Sequence, residues 1–237
     1  MPADVAIGHV TLSPATPRIV AAGGEREIDA LTRADGADVV ELRADLSDDP
    51  RPESLPSLLA RLRQADRPVI LTARAAAEGG RPMEEARRRE LYLAGLAHAD
   101  AIDVEIASAA LVAELVPPAR ASGRTVILSA HFLDRMPPAT ELIALVARAR
   151  ALGADVVKIA AHASDLAALR TLVRVTVTTA DDGVATLALG PTGPLSRLVL
   201  PAAGSLLTYG HVGRPTAPSG QLPVSEVIEL MRRLCPR

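Results

Sequence analysis

The chain has 237 residues, 49% of them apolar, with a formal net charge of −2 and one cysteine, Cys235. Without a basic excess or base-stacking aromatics it has no footprint for nucleic acid, and one cysteine rules out an internal disulfide framework. No apolar run approaches the ~20 residues of a membrane helix, and Met1 to Pro14 lacks the charged start and apolar stretch of a signal peptide, so a soluble, cytoplasmic protein is expected.

Strand-like runs rich in β-branched residues recur along the whole length: Arg18–Ala22, Val39–Asp45, Pro68–Arg74, Ala101–Ile106, Thr125–His131, Asp155–Ala161, Ala185–Gly190 and Ser205–Gly210. Helical stretches fall between them. Pro82 with Glu84 and Glu85 suits a helix start before the fourth run. Ala139–Leu152 carries Leu142, Leu145, Val146, Ala149 and Leu152 on one face, with Gly153 as its cap, and Leu222–Leu234 carries Val224, Val227, Ile228, Met231 and Leu234. Val173–Thr179 is β-branched enough for a ninth strand, but the alternation places it at the end of the sixth helix. Gly36-Ala-Asp38, His98-Ala-Asp100 and Gly153-Ala-Asp155 each precede an apolar strand, an internal echo of helix ends turning into strands. Eight strand–helix units with short connections predict a parallel sheet closed as a single (β/α)8 barrel over residues 1–237, with a lead-in over about residues 1–17.

The aliphatic composition sharpens what the polar residues mean. Lysine occurs once, at Lys158, against twenty-five arginines, and it lies inside the sixth strand run. A lone cation there is costly unless paired or neutral. Arginine serves wherever charge is wanted, but its guanidinium does not lose a proton, whereas a desolvated lysine amine can attack a carbonyl and form an imine. Residues i and i+2 of a strand share a face. Glu41 and Arg43 therefore point together, as do Thr72 and Arg74, Asp103 and Glu105, and Ser129 and His131. Glu41, Arg43, Arg74, His131 and Lys158 stand late on their strands, at the end of a barrel where active sites are built. Asp103 and Glu105 read equally well as a structural ion-pair layer. Among the other histidines, His162 and His211 follow strands and could line the mouth, while His9 and His98 lie in the tail and at a helix end. Neither cysteine nor histidine clusters at metal-ligand spacing, so no metal is expected.

These residues resemble the type I 3-dehydroquinate dehydratase family. The matching pieces run in order from Arg18 to Gln221: Glu41-Leu-Arg43-Ala-Asp45, Arg74 with Glu78-Gly-Gly80, Ile102-Asp-Val-Glu105, Ser129-Ala-His131, Val157-Lys158-Ile-Ala160, Gly190-Pro-Thr-Gly193-Pro-Leu-Ser-Arg197 and Ala217-Pro-Ser-Gly-Gln221. The resemblance implies a barrel that dehydrates 3-dehydroquinate to 3-dehydroshikimate, a step of the shikimate pathway towards aromatic amino acids, without metal or organic cofactor. In that frame Lys158 forms the imine, His131 moves the proton and Glu78 holds the histidine. Glu41, Arg43 and Arg74 contact ring hydroxyls and balance charge, Arg197 binds the carboxylate, and Leu187 and Leu189 give an apolar wall. Residues 213–221 form a mobile lid that brings Gln221 and Thr216 over the substrate. Thr216 takes the family's serine position, with Ser219 looking inserted, and the segment after His131 differs from the usual one. The carboxylate partner is expected to raise the pKa of His131. A homodimer is compatible with the family. Two other readings stay open on the residues alone: a class I aldolase-type barrel, which also uses a strand lysine, and a non-catalytic barrel that binds a shikimate-like ligand.

Overall fold

The computed structural model describes residues 5–216 and 220–235. Eight parallel strands make one sheet: β3 (Arg18–Gly23), β4 (Val39–Arg43), β5 (Val69–Thr72), β6 (Ala101–Glu105), β7 (Thr125–Phe132), β8 (Val156–His162), β9 (Val184–Leu189) and β10 (Leu207–His211). From β3 to β9 each strand pairs with the next in sequence, and β10 returns to pair with β3. Where β9 meets β10 the barrel is closed without a regular ladder. The Leu206 amide donates to Val184 O at 2.8 Å and the Thr186 amide to Ser205 Oγ at 2.9 Å.

Alternation divides the strands between two cores. Outward residues such as Val40, Leu71, Val104, Leu128 and Ile159 pack under the helices. Inward ones form an aliphatic floor that includes Val39, Ile70, Ala101, Ile127, Val156, Ala185 and Leu207. The chain before the barrel is more than a lead-in. β1 (Ala6–Ile7) and β2 (Val10–Thr11) pair as a short antiparallel hairpin, and Ile7 and Leu12 plug the floor from below. Two-residue strands carry no alternation, which is why the sequence pattern does not reveal them.

The recurring Asp before a strand has a structural explanation. Asp38, Asp100 and Asp155 each accept the amide of the preceding strand's opening segment, from Ile19 at 2.7 Å, Val69 at 2.9 Å and Val126 at 2.9 Å. Each also meets an arginine: Arg18 at 3.5 Å, Arg63 at 3.0 Å and Arg120 at 3.7 Å respectively. The carboxylate extends the ladder past its last backbone bond and so fixes the stagger of neighbouring staves.

Helices α1 (Ile28–Thr32), α2 (Leu55–Arg63), α3 (Glu85–Gly95), α4 (Ala109–Ala121), α5 (Ala139–Ala151), α6 (Leu166–Thr178), α7 (Gly193–Ala202) and α8 (Val224–Leu234) alternate with the strands. The β-branched run around Val173 is helical as expected. Val175 and Thr176 are buried there, and Thr176 Oγ1 donates back to Leu172 O at 2.7 Å. Two expected core residues are not in the core. Leu152 caps α5 and Leu234 closes α8, and both are exposed at the C-terminal ends of their helices. Among the described residues no helix is long and apolar enough to cross a membrane.

Candidate active site

Above the aliphatic floor the inward face of the barrel turns polar. Glu41, Thr72, Arg74, Asp103, Glu105, Ser129 and Lys158 are all buried. Such a concentration of charge is tolerable only if every group is paired, because an isolated ion in a low-dielectric interior costs several kcal/mol (order of magnitude). Lys158 Nζ lies 2.8 Å from Asp103 Oδ2 and 3.4 Å from Glu41 Oε1. Its remaining side is covered by the Tyr209 ring, whose centroid is 4.1 Å away. Thr72 Oγ1 donates to Glu41 at 2.8 Å, and Ser129 Oγ to Asp103 at 2.6 Å.

Arg74, just beyond β5, forms the hub of this array. Its Nη2 meets Asp103 at 3.0 Å, and its Nη1 meets Glu105 at 2.9 Å and Ser129 Oγ at 2.7 Å. Arg88 of α3 reaches in from outside and grips the other oxygen of Glu105. Burial alone would strip charge from Asp103, but Arg74 and Lys158 outweigh it and hold the carboxyl well below the usual carboxylate range. The same contest keeps the Arg74 guanidinium firmly charged: burial opposes it, and Asp103 and Glu105 win. Asp103 and Glu105 thus form the buried ion-pair layer, and Asp103 is also the nearest carboxylate to Lys158.

His131, late on β7, meets Glu78 on the short turn after β5. Glu78 Oε2 lies 2.8 Å from His131 Nδ1 and also accepts the His131 backbone amide at 2.8 Å. The turn depends on glycine. Gly79 has φ 90°, and a Cβ on Gly80 would lie 2.0 Å from Arg74 O. The expected rise in the His131 pKa is corrected here. Burial pushes it well below its ordinary value, and Arg74 and Lys158 push the same way. Glu78 takes the complementary shift: burial and then the Glu105 charge raise it to about 7. The pair therefore sits with a neutral imidazole and a carboxyl that titrates near neutrality.

Arg197 of α7 is 2% exposed, yet among the described residues no carboxylate pairs with it. Nη1 donates to Ser196 Oγ at 2.9 Å and weakly to Ala188 O at 3.3 Å, and Nε has no partner. Burial alone brings its pKa down to about 10. Arg43 is instead neutralised by Asp45, with Nε and Nη2 each 2.8 Å from its carboxylate, and its Nη1 donates to Thr216 O at 2.9 Å. Gln221 Oε1 accepts from the Thr216 amide at 2.7 Å and its hydroxyl at 3.0 Å. The chain reaches Gln221 through a tight contact: a Cβ on Gly193 would lie 2.4 Å from Gly220 O, so the turn after β9 and the return of the loop after β10 dock backbone to backbone.

One cavity at the C-terminal mouth of the barrel is lined by all of the expected residues, Glu41, Arg43, Arg74, Glu78, His131, Lys158, Arg197, Thr216 and Gln221, with Leu187 and Leu189 as apolar wall. His162 and His211 do not line it; the His162 ring packs against Gly190, and His211 is buried at the end of β10. Of the expected lid, residues 217–219 lie outside the described residues, and Ser219 with them. Sequence reasoning missed Tyr209 as a cavity residue and Asp103 as the partner of Lys158. The i, i+2 rule puts both on the inward face, but an aromatic in a strand also reads as core, and the rule does not tell which charges from different staves converge.

The type I 3-dehydroquinase family model matches residues 19–234. The chain belongs to that family. The 3-dehydroquinate dehydratase of Methanosarcina acetivorans is 36% identical over 208 residues, 84% of this chain and 86% of that protein. The corresponding protein of Listeria monocytogenes is 31% identical over 252 aligned positions, covering 97% of this chain and 98% of its own. A crystal structure of 3-dehydroquinate dehydratase from Geobacillus kaustophilus shares the fold with a TM-score of 0.86 at 25% identity, over 98% of each chain. The family match spans nearly the whole barrel.

Proposed function

We propose that this chain dehydrates 3-dehydroquinate to 3-dehydroshikimate through an imine on Lys158. The observation that carries the reading is the position of the chain's sole lysine: a buried amine that lines the same cavity as a neutral histidine hydrogen-bonded to a carboxyl. Membership of the family makes 3-dehydroquinate the first substrate to test.

The steps follow from the groups present. Asp103 and Glu41 hold Nζ in place, and once the ammonium has lost a proton to solvent the amine attacks the ring ketone. Loss of water from the carbinolamine leaves an iminium, an electron sink that acidifies the neighbouring methylene. Neutral His131 takes one proton from that carbon, and the electron pair flows to nitrogen as an enamine. Collapse of the enamine expels the hydroxyl β to the imine carbon, and His131 returns its proton to it, so that water leaves. Hydrolysis of the remaining imine frees the enone and restores Lys158. Glu78 orients the imidazole throughout.

Arg197 supports the substrate's carboxylate end, since a buried guanidinium without an anionic partner is completed by a bidentate carboxylate. Glu41, Arg43 and Arg74 face the ring hydroxyls and balance the charge of the iminium. Thr216 and Gln221, hydrogen-bonded to each other, with Thr216 also bonded to Arg43, close the mouth. The reading extends to a single barrel domain in a cytoplasmic setting, which the lone cysteine supports, and sedimentation decides between monomer and homodimer.

The test is borohydride reduction in the presence of 3-dehydroquinate, followed by intact mass and peptide mapping. A reduced adduct on Lys158, with enone absorbance in the unreduced control, is expected. Lys158→Arg retains the positive charge and should give neither signal. Absence of both signals in the parent protein sinks the dehydratase reading and leaves the aldolase-type or binding-only barrel.

A further inference from the structure

Tyr209 stands on β10 with its ring against Lys158 Nζ, 4.1 Å from the centroid, and it lines the cavity. The residue is 3% exposed, and among the described residues its hydroxyl has no hydrogen-bond partner. A buried phenol without a partner loses its hydration with no return. The ring alone would cover Lys158 and contribute the cation–π contact, so phenylalanine would serve that role without the penalty. The polar groups around it do not use the hydroxyl. Glu41 is occupied by Thr72 and Lys158, and Asp103 by Arg74, Ser129 and Lys158. The phenol stays protonated, because burial and then the charges of Glu41 and Asp103 raise its pKa well above the usual value. It is therefore a protonated donor beside the amine, on a residue that lines the cavity.

We infer that Tyr209 is a substrate-binding residue whose hydroxyl donates to the ring hydroxyl on the carbon next to the ketone, the one on the side away from the methylene that loses its proton. The inference rests on the dehydratase reading. A ring carbonyl captured by Nζ is flanked by two carbons. One is the methylene that must meet His131 on β7. The other carries a hydroxyl and is turned towards the opposite wall, where Tyr209 stands. Without a bound substrate the phenol is unpaired, and the substrate's hydroxyl supplies the missing partner. Recognition of that hydroxyl thus selects a polyol ring over a simple cyclic keto acid.

The experiment compares the parent with Tyr209→Phe, which keeps the ring over Lys158 and removes only the oxygen. The readouts are the concentration of 3-dehydroquinate that half-saturates borohydride trapping, the turnover at saturation, and the melting temperature. The half-saturating concentration should rise about tenfold, as expected for loss of one buried hydrogen bond. Turnover at saturation should change far less, and the melting temperature should stay level or rise, because no internal partner is lost. With the 4-deoxy analogue of the substrate, parent and variant should be trapped at equal concentrations. An unchanged half-saturation with 3-dehydroquinate overturns the assignment, as does an equal loss with the deoxy analogue. A melting temperature that falls in step with affinity also overturns it, since the hydroxyl would then be holding the fold. If the parent protein itself forms no adduct, the dehydratase reading fails first, an outcome visible before any variant is compared.

Discussion

His131 and Glu78 share one proton-bearing contact, and their environments push them in opposite directions. Burial and two cations hold the imidazole pKa well below its ordinary value, so the base is available at neutral pH without first losing a proton. His131→Ala should lower turnover by about 10²–10⁴-fold, yet leave the Lys158 adduct trappable by borohydride; loss of the adduct would mean that His131 acts before elimination. The raised carboxyl gives a pH-dependent prediction whose sign can be worked out. Folded Glu78 titrates at about 7, above its ordinary value of 4.5. Its stabilising contribution is therefore fully present below about 4.5 and is lost as pH rises through 7. Glu78→Gln should thus gain melting temperature relative to the parent at pH 8 and not at pH 4.5, while its pH–rate profile loses the limb near 7. Asp103 works the other way. Its pKa is depressed, so its contribution is present above its ordinary 3.8 and lost as pH falls below it.

At the scale of elements, the site depends on two backbone contacts that leave no room for side chains. The turn carrying Glu78 folds back so closely on Arg74 O that Gly80→Ala must displace it. Turnover should fall much as in a Glu78 variant, with only a modest change in melting temperature, because the turn is short and its residues are incompletely buried. Equal loss of stability and activity would instead mark the turn as part of the core. The strands themselves were legible: each of the eight runs expected as a strand is a stave, and α5 and the β-branched run in α6 are helical. What the pattern lacked is depth. It shows that Ser129 and His131 share a face, but not that Arg74 crosses the interior to Asp103, Glu105 and Ser129. That convergence lowers the His131 pKa when a pairwise view with Glu78 expects it to rise. The N-terminal hairpin was hidden for a different reason: its strands are too short to show a period.

For the molecule as a whole, the barrel interior is split along its axis. The polar array occupies the mouth, and Ile7 and Leu12 seal an aliphatic floor, with the aspartate latches fixing the stagger at that same end. Damage to the floor should therefore register as stability and not as chemistry. Ile7→Ala leaves a cavity under the barrel and should cost about 2–4 kcal/mol, measured by denaturant unfolding, while kcat and KM stay near the parent values. A large change in KM would show that floor and mouth are mechanically linked.

The sole lysine has a consequence for life among reactive metabolites. Sugars, dicarbonyls and aldehydes condense with exposed ε-amines, and protein surfaces commonly present many of them. Here the surface cations are arginines, and the single ε-amine is 5% exposed, held between two carboxylates and a tyrosine ring. The chain thus offers a glycating aldehyde no side-chain amine outside the cavity built for a ketone, and its one ε-amine is reached only by a molecule that fits the pocket.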